Sequence, residues 1–393
     1  MRLGITCAAL ASAAALFAGA PAAAQGAPKL VTWKSTQSKF VDPAKAQFNS
    51  VPAEAPAKPS ALPVNVLLPD GFSRKRRYPV LYLLHGHGDS YWSWFAPKNG
   101  DLLNTARGFP GIIVMPEAGQ GWYTDWWNDG LRGSPGWESY HLRELIPLVE
   151  RRLPIRRGRR WHAIAGLSMG GEATAYYASQ RPDYFGSAAA FSAPLSIQRP
   201  EWPAGFNTQG QDYATVFGDV SGFYATGHNP LRLVRNLRWT RLFVGTGDGV
   251  PGSPDDVDNV FGQVAERELR QHAEDFVPAA RAAGASVTYE PLGGVHDWPY
   301  WRRYLRDAIS WGLFKSVVSH PRSWRFTTAM RRSSAWGYSF VFAAPPSELA
   351  TFSRGSGGHL HGLGSGRVTV RGPHGCRLVA TLPFKGRTCR RRG

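Results

Sequence analysis

Cysteine is the scarcest feature of this 393-residue chain, at three positions. One of them, Cys7, falls inside an N-terminal segment with the grammar of an export signal. Arg2 opens a short basic region, Leu10 to Phe17 supply an alanine-rich apolar stretch, and Ala22-Ala23-Ala24 forms an A-x-A cleavage site before Gln25. Cys7 lies too deep in that signal to serve as a lipid-attachment residue. Cys376 and Cys389 remain, an even pair in the oxidising compartment an export signal implies, so one disulfide closing a short C-terminal loop is expected. Neither thiol is then free to act as a nucleophile. Long apolar runs are missing as well: after residue 24 none reaches the roughly 18 residues needed to span a bilayer, so a soluble exported protein is expected.

Acidic residues are also in short supply, 28 against 46 Lys and Arg, for a formal charge of +18. The shortage is local. From residue 316 to 393 there are 13 Lys and Arg and a single acid, Glu348, a net of +12, so two thirds of the excess lies in the last fifth of the chain. Such a region either keeps an exported protein solvated or contacts an anionic cell envelope, lipid surface or polymer. Nucleic acid is not an expected partner, and oligomeric state cannot be read from the sequence. No repeat at a solenoid period is present.

What the chain does contain is organised around Gly166-Leu167-Ser168-Met169-Gly170-Gly171, which follows the apolar run His162 to Ala165 and precedes a helix-forming segment to about Gln180. Glycine frequency alone could produce G-x-S-x-G here; its position between strand and helix makes it a nucleophile elbow. In that turn the serine occupies a strained backbone conformation, and the flanking glycines leave room where a side chain would clash. The helix that follows aims unpaired N–H groups and its positive end at the serine.

Buried-strand patterns also occur at Tyr78 to Leu84, Gly111 to Pro116, Ser187 to Phe191, Arg241 to Val244 and Ser286 to Tyr289, with a first edge strand near Leu62 to Pro69. Helical spacing appears over 138–153, 259–283 and 299–315. Strands alternating with helices predict an α/β fold, a mostly parallel central sheet covered on both faces. After residue 316 short β-type runs separated by Gly, Ser and Pro predict a small β-rich appendage. The expected organisation is a signal over 1–24, a linker and N-terminal extension over 25–60, a catalytic domain over 61–315 and a basic appendage over 316–393.

A serine hydroxyl is a poor nucleophile at neutral pH and needs a general base, an orienting acid and an oxyanion hole. His296 is the candidate base, because it follows the last strand in the glycine-rich loop Leu292 to Trp298 and can reach back over the sheet edge. Residues alone favour Asp248, at the end of the strand Leu242 to Gly247, as the acid, with Glu266 further on. The oxyanion donors would be the backbone N–H groups of Met169 and of His87, in the loop after Leu84. The spacings His85-x-His87 and His359-x-His361 are too weak to predict a metal. Gly247 to Gly252 matches G-x-G-x-x-G formally, but Pro251 and the polar residues after it do not open a tight helix, so no dinucleotide or other cofactor is expected. Tryptophans crowd three loops on the same side, and Trp92, Trp94, Trp122, Trp126 and Trp298 are expected to line an apolar cleft for an acyl or aryl group.

At these positions the chain resembles the esterase family that includes S-formylglutathione hydrolases, feruloyl-type esterases and antigen 85 mycolyltransferases. The residues carrying the likeness are Val80 to Gly86, Val114-Met115-Pro116 with Gly119-Gln120 and Tyr123 to Trp126, Gly166 to Met169, Asn229-Pro230, and His296 to Trp301, in that order over about 60–315. The resemblance implies the α/β-hydrolase fold and a Ser-His-acid esterase acting on small-molecule or lipid esters. It also implies a glutamate ahead of a helix as the acid, which ranks Glu266 above Asp248. His85 stands where the mycolyltransferases have an aspartate, and Gly170-Gly171 is the general esterase form, so ester hydrolysis is favoured over acyl transfer to a sugar or glycerol. An inactive binding protein of the envelope or a polymer is the remaining alternative.

Overall fold

Five short, wholly buried runs build the middle of the molecule, and their order in space sets where the reactive loops emerge. The computed structural model describes residues 27–130 and 135–391. The expected signal over 1–24 lies outside the described residues. An eight-stranded sheet comprises β1 (Lys29–Trp33), β2 (Val64–Leu68), β3 (Val80–Leu84), β4 (Ile112–Pro116), β5 (His162–Leu167), β6 (Ser187–Phe191), β7 (Arg241–Thr246) and β8 (Ser286–Pro291), in the order β1-β2-β4-β3-β5-β6-β7-β8. β1 and β2 run antiparallel at one edge, and β2 also pairs antiparallel with β4. From β4 through β8 the pairings are parallel. β2 to β6 have every side chain buried, as a parallel sheet covered on both faces requires.

One face is covered by α1 (Ser168–Gln180) and α3 (Val260–Ala282), together with residues 137–152, and the other by α4 (Trp298–Trp311). A short helix, α2 (Trp202–Asn207), lies outside the sheet. This is the α/β-hydrolase arrangement that the resemblance implies. In such sheets ligands bind beyond the carboxyl ends of the parallel strands, which is where the loops after β3, β5, β7 and β8 lead.

One region differs from the sequence reading. The stretch 27–60, within the expected linker and N-terminal extension, supplies β1 as the edge strand in place of the run near Leu62 to Pro69, with Lys29 paired to Leu68 and Trp33 to Val64. It then crosses the sheet edge, burying Val41, and reaches the loop after β3, where Asn49 binds. Its Pro, Ala and Lys content concealed a strand of only five residues.

The C-terminal appendage is a sandwich of two antiparallel sheets. Five strands, β10 (Arg332–Ala335), β11 (Tyr338–Phe342), β14 (Arg367–Arg371), β15 (Cys376–Thr381) and β17 (Arg390–Arg391), face four, β9 (Trp324–Thr328), β12 (Ala350–Arg354), β13 (Leu360–Leu363) and β16 (Phe384–Arg387). Alternate residues point inward to give a core that includes Phe326, Phe340, Phe352, Val368 and Val370. A Cys376–Cys389 disulfide joins the last segment to β15. The sandwich is docked, not trailing. Asn236 donates to Thr327 O at 2.8 Å and accepts from Thr327 N–H at 2.9 Å, and Gly227 leaves no room for a Cβ against Ala329. Arg159, 3% exposed, donates to Trp239 O, Val318 O and Phe185 O at 2.7–2.8 Å and to the Thr240 hydroxyl at 3.2 Å.

Candidate active site

Ser168 stands at the junction of β5 and α1 with φ 53°, in the left-handed region that an L-residue enters only under constraint. Close packing enforces the turn. A Cβ on Gly166 would overlap the Gly170 carbonyl, and one on Gly170 would come 2.5 Å from His85 O. The side chain is thereby pushed out beyond the strand end. The Ser168 hydroxyl donates to His296 Nε2 at 3.0 Å, and His296 Nδ1–H donates to Glu266 Oε2 at 2.8 Å.

Glu266 is fully buried in α3, yet its second oxygen is satisfied three times over. It accepts from Gly247 N–H at 2.5 Å, the Ser192 hydroxyl at 2.7 Å and the Thr246 hydroxyl at 3.1 Å. Buried carboxylates survive where hydrogen bonds replace water, and this one also has the imidazole. Ser192 is itself held at φ 46° and accepts from Trp301 Nε1–H at 3.1 Å. The Trp301 ring meets His296 edge-on, 4.9 Å between centroids, fixing the plane of the imidazole.

Asp248 does not touch His296. Its Oδ1 accepts from Val250 N–H at 2.9 Å and Gly294 N–H at 3.1 Å, so it ties the loop bearing the histidine to the end of β7. Partial burial opposes its ionisation, but those N–H groups outweigh it and hold the carboxyl below its ordinary value. Of the two acids weighed from the sequence, the structure brings Glu266 to the imidazole and gives Asp248 a bracing position.

The loop after β3 turns at His85 to Asp89. Asn49 clamps it from the N-terminal segment, donating to His87 O and Asp89 O at 2.7 Å each, while Gln120 donates to Asn49 Oδ1 at 2.6 Å. Met169 opens the first turn of α1, where backbone N–H groups have no acceptor within the helix. The rings of His85 and His87 go to different places. His85 Nε2 accepts from Ala118 N–H at 3.1 Å, leaving Nδ1–H for Gly86 O at 2.8 Å, whereas His87 lines the cleft against Trp122. Burial drives the His87 pKa down to about 4, keeping the ring neutral near neutral pH. Burial likewise raises the Asp89 carboxyl at the cleft wall, against the hydrogen bonds it accepts from Ser93 and the Gly86 N–H.

Ser168 and His296 sit in a cleft of about 740 Å³ whose other walls include Trp122, Trp202, Phe261, Val264, Trp298 and Trp301. Only Trp122 and Trp298 of the five expected tryptophans line it. Trp94 is buried beneath, its Nε1–H on Leu84 O at 2.8 Å and its ring against Trp298. Trp126 turns its Nε1–H to Gly121 O at 3.1 Å, and Trp92 packs on Phe95 and Tyr91. Each inward ring belongs to the core or its edge, because backbone carbonyls or neighbouring rings were available there. Asn49, Ser192, Trp202, Phe261 and Val264 were not singled out beforehand. They converge from separate segments, and no local pattern marks them.

A family model described as an esterase matches residues 56–311. An esterase of Mycobacterium tuberculosis is 32% identical over 242 residues, covering 58% of this chain and 50% of that protein. The chain thus spans about half the length of that curated relative. The diacylglycerol acyltransferase/mycolyltransferase Ag85C of Mycobacterium leprae is 27% identical over 209 residues, 49% of this chain and 61% of that one. Among solved structures, a fluorophosphonate-binding serine hydrolase of Staphylococcus aureus superposes with a TM-score of 0.54 at 20% identity, covering 74% of this chain and 100% of that chain, a likeness of fold.

Proposed function

This chain belongs to that esterase family, and on that premise we propose that it is an exported serine esterase working through an acyl-enzyme. The observation that carries the reading is the unbroken line Ser168–His296–Glu266 at the floor of an apolar-walled cleft. Ser168 Oγ attacks the ester carbonyl while His296 Nε2 takes its proton, and Glu266 holds the imidazole in the required tautomer and balances the cation that forms. The oxyanion develops between the N–H groups of Met169 and His87, two dipoles fixed before reaction begins. His296 then returns its proton to the leaving alkoxide. Water, deprotonated by the same imidazole, releases the acid and restores the serine.

The cleft walls suit an ester with an apolar acyl or aryl part. Export is supported by the disulfide, which persists in oxidising surroundings, and by the N-terminal signal pattern. No helix among the described residues is long and apolar enough to cross a membrane. The arginine-rich sandwich is proposed to rest on an anionic envelope or polymer. A second reading, acyl transfer to a sugar or glycerol hydroxyl, is favoured by the name of the Mycobacterium leprae relative.

The test is a panel of short and long p-nitrophenyl esters with and without trehalose or glycerol, run beside Ser168→Ala. Turnover by the wild type that the variant loses supports the esterase reading, and a new acylated sugar or glycerol product supports transfer. No turnover of any ester by the wild type overturns both.

A further inference from the structure

The first turns of α3 present an anomaly. Ten large apolar side chains are exposed among the described residues, and five of them, Val250, Val257, Val260, Phe261 and Val264, fall within 15 residues of one another in sequence. Phe261 is 68% exposed and Val260 63%. The helix has an ordinary buried face through Gly262, Glu266, Leu269, Ala273 and Phe276. Val260, Phe261 and Val264 form a second apolar stripe on its outer side, at i, i+1 and i+4. Further along, that outer side turns polar at Arg267, Gln271, Glu274 and Asp275. The stripe is therefore confined to the end of the helix beside the reactive serine, and Phe261 and Val264 continue directly into the cleft wall. Isolated exposed apolar residues need no explanation, but a cluster at the mouth of a site marks a contact surface.

We propose that this lip docks on a lipid surface, bringing the cleft mouth to the interface so that an ester with a hydrocarbon chain passes into the site without crossing water. The inference rests on the esterase reading for its purpose and on the lip itself for its evidence. Charge is not what draws the lip down. Asp255 and Asp258 are exposed beside it and outnumber Arg267 one turn further along, so an anionic surface is disfavoured at this end of the molecule despite the overall charge of +18. Docking by apolar insertion onto a neutral lipid surface is what these side chains fit, and such binding is insensitive to salt, unlike attraction through the arginines.

The experiment is flotation of the full protein with neutral phosphatidylcholine vesicles at low and high salt, with hydrolysis of soluble p-nitrophenyl acetate measured in parallel. Wild type and Ser168→Ala should float equally at both salt concentrations. Val257→Ser/Val260→Ser, which changes side chains outside the cleft wall, should lower the bound fraction at least about tenfold while acetate hydrolysis stays unchanged. Protein that remains in the lipid-free fraction, binding that high salt abolishes, or a double variant that floats like wild type overturns the proposal. So does a lipid-free wild-type dimer in light scattering that the double variant converts to monomer, since the lip would then face a second copy. Vesicle binding is read without turnover, so flotation with no acetate hydrolysis would sink the esterase reading alone.

Discussion

Glu266 and His296 are 30 residues apart in sequence and meet at 2.8 Å, carboxylate to imidazole, while Asp248 reaches the same loop only through the Gly294 N–H. The two acids therefore have separable effects. Glu266→Gln keeps the shape but removes the charge that sets the tautomer, and should lower kcat by about three to four powers of ten with little change in KM. Asp248→Asn should cost less than about tenfold, because it removes a brace from the loop and leaves the hydrogen-bonded line intact. Steady-state kinetics on one soluble ester distinguishes them; equal losses would contradict the assignment.

Asn49 reaches across from the N-terminal segment to two carbonyls of the loop proposed to supply an oxyanion donor. Asn49→Ala frees His87 and Asp89 to shift. Removing an oxyanion donor outright costs about a hundredfold or more in kcat, and loosening one should cost about tenfold or more, with KM nearly unchanged. Affinity for a phosphonate transition-state analogue should fall in parallel. A change confined to KM would mean that Asn49 acts on substrate binding instead.

Glu138 lies buried beside Tyr176, whose hydroxyl donates to its Oε2 at 2.7 Å, and burial raises its pKa to about 8. The folded state then holds a proton that the unfolded chain releases above its ordinary value of 4.5. Its contribution to stability is fully present below that ordinary value and is lost as pH rises through about 8. Buried Glu172, raised well above its ordinary value by burial, acts with the same sign. His228, lowered to about 4 by burial, has the opposite sign, but its window closes at 6.5. Thermal melts between pH 6.5 and pH 9 should show stability falling with pH in the wild type and falling less steeply in Glu138→Gln. Parallel curves would contradict a protonated Glu138.

Arg159 satisfies carbonyls from β6's preceding turn, from the segment before β7 and from the connection to the sandwich. Arg159→Met would leave the buried Phe185 carbonyl without its donor and cut the tie to Val318 O, at a cost of about 1–3 kcal/mol. A lower melting temperature, with kcat on a soluble ester within about twofold for the folded protein, is the expected pattern. Unchanged melting would show that the sandwich is held elsewhere.

The meeting of Ser168 and His296 was legible because their signals are local: a glycine-flanked serine between strand and helix, and a histidine in the loop after the last strand. The carboxylate that meets the imidazole was less legible. Asp248 follows its strand directly, whereas Glu266 is reached only when α3 folds back and places its carboxylate under Gly247 N–H and the Ser192 hydroxyl. Nothing in a linear pattern announces that return. Tryptophan clusters showed where the aromatic loops lay but not which rings face inward, a choice made by carbonyls such as Leu84 O. The β-rich appendage was visible from its short strands, and its docking was not, since Asn236, Gly227 and Arg159 are unremarkable in sequence.

The esterase mechanism requires a covalent acyl group on Ser168. Rapid mixing with a p-nitrophenyl ester, an acid quench and peptide mass spectrometry reads it directly. A burst of p-nitrophenol approaching one equivalent of enzyme is expected when deacylation is the slower step, together with an acyl mass increment on the peptide containing Ser168 that Ser168→Ala lacks. Turnover without any increment on that peptide, or an increment that survives in Ser168→Ala, would contradict it.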